Sequence, residues 1–134
     1  MIMKKNSGFT ITELLIVLIV IGVLSTLGIT QYGSFRERVL DKEAIATLRL
    51  LQQSQRIYRI ENTAYFPRDS VAQTDIGQIN SFLRLFLNEQ AWDYATYSGG
   101  AMGAGTSTAT RVTGGRTWTL PINANTSTCS GSCL

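Results

Sequence analysis

The side chains of this chain that could carry out chemistry are few, and histidine is not among them. Its 134 residues include 12 Lys and Arg, nine Asp and Glu, and no His. Without an imidazole, histidine-based acid–base catalysis, histidine phosphotransfer and His-ligated metal sites are excluded. Since no nucleophile–base pair is visible either, we expect a protein that is not an enzyme and that holds no cofactor and no metal.

Two cysteines near the C-terminus are candidates for a covalent cross-link. Cys129 and Cys133 enclose only Ser-Gly-Ser, a flexible spacer that can turn and bring two Cα atoms within disulfide reach. A bonded pair would imply an oxidising compartment outside the cytoplasm. A redox or metal pair is the alternative, but the spacing is C-x-x-x-C, without a second pair. The sequence favours a disulfide and leaves its formation open.

A single carboxylate lies at the edge of a long apolar run. From Leu14 to Phe35, 22 consecutive residues carry no charge, and as a helix they would extend roughly 33 Å, enough to cross a bilayer core. We expect one membrane span there. A conventional signal peptide cut near Ser25 and Thr26 is the competing interpretation. Glu13 directly precedes the run, and a carboxylate beside lipid needs either a partner or a wet position.

The residues before the run carry a family resemblance. Residues 4–18 read KKNSGFTITELLIVL, which resembles the class III signal of type IV pilins and pseudopilins. The resemblance implies a leader over residues 1–8 that a prepilin peptidase removes after Gly8, methylating the new amine of Phe9. It also implies that Glu13 of an incoming subunit neutralises the Phe9 amine of its neighbour in a filament. The alternative is that Glu13 merely marks the start of a helix.

The apolar pattern changes character after the uncharged run, but no proline interrupts residues 9–61. This predicts one long helix with an apolar first part, residues 9–35, and an amphipathic second part, residues 36–61. The apolar stripe of the second part recurs at helical spacing. Its members are Leu40, Ala44, Leu48, Leu51 and Tyr58.

The remaining residues, 62–134, predict a small α+β head. Asp75 is a candidate N-cap for a short helix that we expect to reach about Glu89. Strands are predicted over 94–98, 109–113 and 116–120, with a tight turn at Gly114-Gly115 between the last two. The glycine-rich segment 99–105 lacks the ending of a phosphate loop and is interpreted as a mobile hairpin loop.

The function that the resemblance implies is structural. We expect a single-pass inner-membrane precursor whose head lies in the periplasm and whose helix lies in membrane lipid before assembly. An inner-membrane assembly platform then adds the subunit to a helical homo-oligomer, a type IV pilus-like filament. A pseudopilin of type II secretion is the alternative, although such subunits often bind calcium and no Asp or Glu follows Asp93. A minor pilin that binds DNA or a surface through Arg111 and Arg116 is the second alternative; nucleic acid is not the expected partner.

Overall fold

The fold is described here from a computed structural model, which covers residues 8–99 and 105–133. Two helices, α1 (Ile11–Asn62) and α2 (Ile76–Leu83), precede four strands: β1 (Trp92–Tyr97), β2 (Thr106–Arg111), β3 (Thr117–Pro121) and β4 (Thr128–Ser130). The strands form one antiparallel sheet in the order β1-β2-β3-β4. The predicted α+β class and the long N-terminal helix are confirmed. Most of the predicted leader, residues 1–7, and most of the predicted glycine-rich loop, residues 100–104, lie outside the described residues.

The chain divides into two compact units between Glu37 and Arg38. In the first unit, every described side chain of α1 from Ile11 to Thr26 is exposed. Among the described residues, no helix is both long enough and apolar enough to cross a membrane. The span expected over 14–35 therefore stays a prediction.

In the second unit, the amphipathic part of α1 supplies one wall of the core. Ala44, Leu48 and Leu51 are completely buried, and Leu40 and Tyr58 pack against the same cluster with part of their surface exposed. The predicted apolar stripe is therefore confirmed. The opposite wall consists of buried residues from α2 and the sheet, namely Ile79, Leu83, Trp92, Tyr94, Ala109 and Leu120.

Two glutamines beside this stripe attach loops of the head to α1. Gln52 donates through Nε2 to three backbone carbonyls of the segment 121–124, at 2.7 to 3.0 Å. Gln55 accepts from the backbone nitrogen of Phe66 at 2.9 Å and donates to its carbonyl oxygen and to Thr96 Oγ1. Both glutamines are buried, so these bonds replace the water that their amides lose on folding.

Helix α2 begins at the predicted N-cap. Asp75 Oδ1 accepts from the backbone nitrogens of Gly77 and Gln78 at 2.8 and 3.2 Å, which satisfies two amides that have no partner within the helix. Gln73 joins the cap, since it accepts from the Asp75 nitrogen and donates to the Gln78 side chain. The sequence signal for this helix start is therefore confirmed.

The predicted end of α2, near Glu89, is wrong. The helix stops at Leu83 because Arg84 adopts a left-handed conformation with φ of 53°. Asn80 then bonds both backbone groups of Leu87 through its side-chain amide, at 2.8 and 2.9 Å. The following residues thus fold back on the helix instead of extending it.

The tight turn between β2 and β3 is confirmed, with positive φ at Gly114 and Gly115. The strands on either side of it are shifted by a few residues from their predicted bounds, and β3 includes Pro121, one residue beyond the predicted end. Strand β4 was not predicted. It pairs with β3 so that Cys129 lies opposite Trp118.

Candidate functional site

The start of α1 is a reciprocal cap formed by Thr10 and Glu13. The backbone nitrogen of Thr10 donates to Glu13 Oε2 at 3.1 Å, and the backbone nitrogen of Glu13 donates to Thr10 Oγ1 at 3.3 Å. The Thr10 hydroxyl donates to the same Oε2 at 3.1 Å. This is a capping box, in which a Thr and a Glu three residues later satisfy each other's backbone amides.

The cap shows how Glu13 marks the start of the helix, the simpler of the two roles considered for it from the sequence. A carboxylate in the first turn faces the positive end of the helix dipole, which stabilises its charge. The structure brings Glu13 to Thr10. Its predicted pairing with the Phe9 amine of a neighbouring copy stays a prediction. Thr10 was not predicted from the sequence, although Thr-x-x-Glu before an apolar run is the local pattern of such a cap.

Gly8 and Phe9, the predicted processing residues, lie outside the helix and are exposed. A Cβ added at Gly8 would meet no atom within 4 Å, and Phe9 keeps 83% of its surface. The described structure therefore does not itself require a glycine at position 8. Any demand for a small side chain there has to come from a molecule that acts on this peptide bond.

Among the described residues of the first unit, the helix that follows this cap has no apolar partner. Leu14, Ile16 and Leu24 are each more than half exposed. The hydroxyls of Ser25 and Thr26 donate to backbone carbonyls one turn earlier, at 2.8 and 2.7 Å, so both are satisfied inside the helix. The surface of this segment is therefore suited to lipid or to other apolar helices.

The predicted disulfide is present. Cys129 and Cys133 are bonded, with their Cα atoms 6.2 Å apart. Gly131, between them, has φ of +91°, and a Cβ at this position would overlap the carbonyl oxygen of Gly115. The loop of the disulfide thus packs closely against the turn that joins β2 and β3. In residues 8–99 and 105–133, no three His, Cys, Asp or Glu side chains form a cluster that could hold a metal ion.

The two arginines proposed for nucleic-acid or surface binding are engaged inside the head. Arg116 is buried and pairs with Asp41, Nε to Oδ1, at 3.0 Å. Trp118 Nε1 donates to the same carboxylate oxygen at 3.1 Å. Arg111 is half-buried and donates to the carbonyl oxygen of Ala91 at 2.9 Å. This arrangement stabilises the sheet against α1 and does not present Arg116 to a ligand.

A buried tyrosine of the head, Tyr94, has a shifted pKa. Burial raises the pKa of Tyr94 above its ordinary value of 10.0, and the nearby charge of Glu43 raises it further. A hydrogen bond with Thr47 opposes both effects. Tyr94 lies on β1, and its side chain forms part of the core, so this shift reflects packing.

The comparisons with known proteins agree with the helix start. A family model described as "Prokaryotic N-terminal methylation motif" matches residues 3–29. Type II secretion system core protein G of Aeromonas hydrophila is 25% identical over 62 residues, and that of Vibrio cholerae is 24% identical over 63. Type IV major pilin protein PilA of Myxococcus xanthus is 34% identical over 61 residues.

These matches cover 46 to 47% of this chain. They cover 43% of each protein G and 28% of PilA, so the chain spans less than half the length of these curated relatives. No solved structure matches. The methylation motif and the relatives together show that the N-terminal part of this chain is similar to type IV pilins and type II pseudopilins.

Proposed function

We propose that this chain is a structural subunit of a type IV pilus-like filament and has no enzymatic activity. The observation that carries the proposal is the first unit. A capped start containing Glu13 leads directly into a helix whose apolar side chains are exposed all round through Thr26. A helix of this kind is stable when lipid or like helices surround it. A filament built from many copies supplies such a bundle.

Processing is the first step of the proposal. A prepilin peptidase removes residues 1–8 and methylates the amine of Phe9. The exposure of both residues at the cut, and the open space around Gly8, support this step. The cut converts the Phe9 amide into an ammonium that lies four residues before Glu13.

Insertion and assembly form the second step. The precursor lies in the inner membrane as a single-pass protein, with residues 62–134 in the periplasm as its head. An oxidising periplasm is consistent with the bonded pair Cys129–Cys133. An assembly platform in the inner membrane then moves the subunit from lipid into a helical homo-oligomer, with Glu13 of the incoming copy against the Phe9 ammonium of its neighbour.

A pseudopilin of type II secretion is the second candidate, and the similarity to core protein G favours it. We place the pilus first because the segment after β3 is closed by a disulfide and has no Asp or Glu among residues 122–134. A type II pseudopilin with bound calcium would need oxygen ligands in that segment. Filaments sheared from the cell surface at native expression support the pilus. Loss of exported enzymes on deletion, without surface filaments, supports the pseudopilus.

Intact-mass measurement of the protein from membranes tests the processing step. The expected mass is that of residues 9–134 plus one methyl group. Gly8→Val should block the cut, since a branched side chain does not fit a peptidase site selective for glycine. Gly22→Val, the same change at a glycine with equally open surroundings inside α1, should leave the cut intact. An N-terminus near residue 26 would instead identify a conventional signal peptide and overturn the proposal.

A further inference from the structure

A groove near the C-terminal end of α1 is lined by hydrogen-bond donors and one isoleucine, and none of its lining side chains is a carboxylate. Its walls are Arg56, Arg59, Ile60, Tyr65 and Asn123, and its volume is about 480 Å³. We propose that this arginine groove binds an oxyanion, a phosphate or carboxylate group carried on a compact apolar body. The proposal goes beyond filament assembly and does not depend on it.

The two guanidinium groups are held in place from behind. Arg56 and Arg59 are three residues apart and so share one face of the helix. Arg56 donates through Nη2 to the carbonyl oxygen of Ile122 at 3.1 Å. Arg59 donates through Nη1 to the hydroxyl of Tyr65 at 2.8 Å, and its Cζ lies 4.9 Å from the centre of that ring.

These contacts orient the arginines without using up their donors. A guanidinium has five N–H groups in a fixed plane, and its edge matches the two oxygens of a carboxylate or phosphate. Tyr65 is almost completely buried, so the group that holds Arg59 is itself fixed. A preorganised site loses less conformational entropy on binding than a mobile one.

The local charges favour an anion. In the described part of the chain, neither Arg56 nor Arg59 forms an ion pair with an acidic residue. Glu61, which is close in sequence, pairs with Arg84 at 3.2 Å and does not line the groove. The C-terminal end of a helix contributes about half of one negative charge. Two full positive charges outweigh it, and the groove keeps a positive potential.

The shape of the groove indicates what accompanies the oxyanion. Ile60 is 83% exposed and adds an apolar wall beside the arginines. A volume of about 480 Å³ is within the range of small-molecule sites, and a bare inorganic phosphate would leave much of it empty. We therefore expect a phosphate carried on a small ring to bind more tightly than inorganic phosphate.

The test uses the full-length protein in micelles of an uncharged detergent, with phenyl phosphate as the probe and inorganic phosphate as the comparison. Nuclear magnetic resonance follows the arginine Nε–H signals and the side-chain amide of Asn123. We expect saturable shifts at the groove that weaken as salt is added. Arg56→Gln and Arg59→Gln should each weaken binding about tenfold or more, the effect of losing a charge-assisted hydrogen bond.

Arg49→Gln is the matched control, because Arg49 is an exposed arginine of α1 outside the groove. Circular dichroism should show that each variant keeps its helix. Should Arg59→Gln disturb the contact with Tyr65, Arg56→Gln and Asn123→Ala still test the site. Shifts that do not saturate, or that Arg49→Gln weakens equally, overturn the proposal. Shifts that follow protein concentration in place of added anion also overturn it, since the groove would then be an interface between copies.

Discussion

Replacing Glu13 with Gln separates the two roles that this side chain can have at the start of α1. In the cap, Oε2 accepts from the Thr10 nitrogen at 3.1 Å. Glutamine keeps a side-chain oxygen at the same distance from the backbone and is itself a normal capping-box residue. The loss is then limited to the favourable interaction of the charge with the helix dipole, about 0.3–1 kcal/mol.

The assembly role predicts a larger loss. If Glu13 neutralises the Phe9 ammonium of a neighbouring copy in a poorly hydrated bundle, Glu13→Gln removes a charge-assisted contact worth about 1.5–3 kcal/mol. At about 1.4 kcal/mol per factor of ten, subunit addition weakens roughly ten- to one-hundred-fold. Insertion and cleavage should be unchanged, so the variant accumulates in the membrane as mature protein.

The assay is the ratio of sheared-filament subunit to membrane-retained subunit at equal expression, with intact mass as the measure of cleavage. Thr10→Ala is the matched control, because it removes the hydroxyl half of the cap and keeps the charge. We expect it to assemble nearly as well as the wild type. Wild-type assembly by Glu13→Gln, or an equal loss in both variants, would show that Glu13 acts only as a cap and refute the assembly role.

Three further predictions concern the head. Asp41→Ala should lower the free energy of unfolding by about 3–5 kcal/mol, because it removes the carboxylate that neutralises the buried charge of Arg116. Chemical denaturation measures this loss, and adding Arg116→Met should recover most of it. Cys129→Ser should lower the free energy of unfolding by about 2 kcal/mol, the contribution expected from the loop-closure entropy of a five-residue ring. Reduction of the wild type should reproduce that loss. Burial raises the pKa of Tyr94 above 10.0, so the folded protein holds this proton at pH values where the unfolded chain releases it, and the free energy of unfolding should decrease as pH rises above about 10. Tyr94→Phe should remove this part of the alkaline slope.

Each of these predictions has an outcome that contradicts it. A loss below about 1 kcal/mol in Asp41→Ala would mean that water or the other contacts of Arg116 compensate for the missing carboxylate. Unchanged stability after complete reduction would show that the disulfide ring does not constrain the unfolded chain. The Tyr94 argument fails if Tyr94→Phe keeps the same alkaline slope as Tyr97→Phe, the matched change at a more exposed tyrosine of the same strand.

The features that the sequence predicted correctly depend on neighbours along the chain. The Asp75 cap needs only the amides two and three residues later, and the stripe through Leu48 needs only helical spacing. The turn at Gly114-Gly115 needs two residues that accept positive φ. The capping box of Thr10 and Glu13 belongs to the same class, so the sequence contained enough information to find it.

The features that the sequence did not predict depend on contacts beyond one helical turn or on an unusual backbone conformation. Helix α2 ends early because the side chain of Asn80 bonds the backbone of Leu87 and Arg84 accepts a left-handed conformation. Neither event leaves a local signal. Strand β4 forms by pairing with β3, where Cys129 lies opposite Trp118, and a three-residue strand has too short a pattern to recognise. The burial of Arg116 likewise requires Asp41, which is far from it in sequence.

The two parts of α1 differ in what covers their apolar surface, and this difference bears on how assembly becomes specific. In the second unit, the core of the head itself covers Ala44, Leu48 and Leu51. From Ile11 to Thr26, the described residues of the helix's own unit leave the apolar side chains exposed. In the proposed filament, lipid covers them before assembly and other copies cover them afterwards. Moving such a helix from lipid into a bundle exchanges one apolar surrounding for another and yields little hydrophobic free energy. In the proposed filament, the choice of partner and register therefore depends on the polar groups at the start of the helix, Glu13 and the Phe9 amine. Substitutions among the exposed aliphatic residues that conserve volume should alter assembly much less than the single change Glu13→Gln.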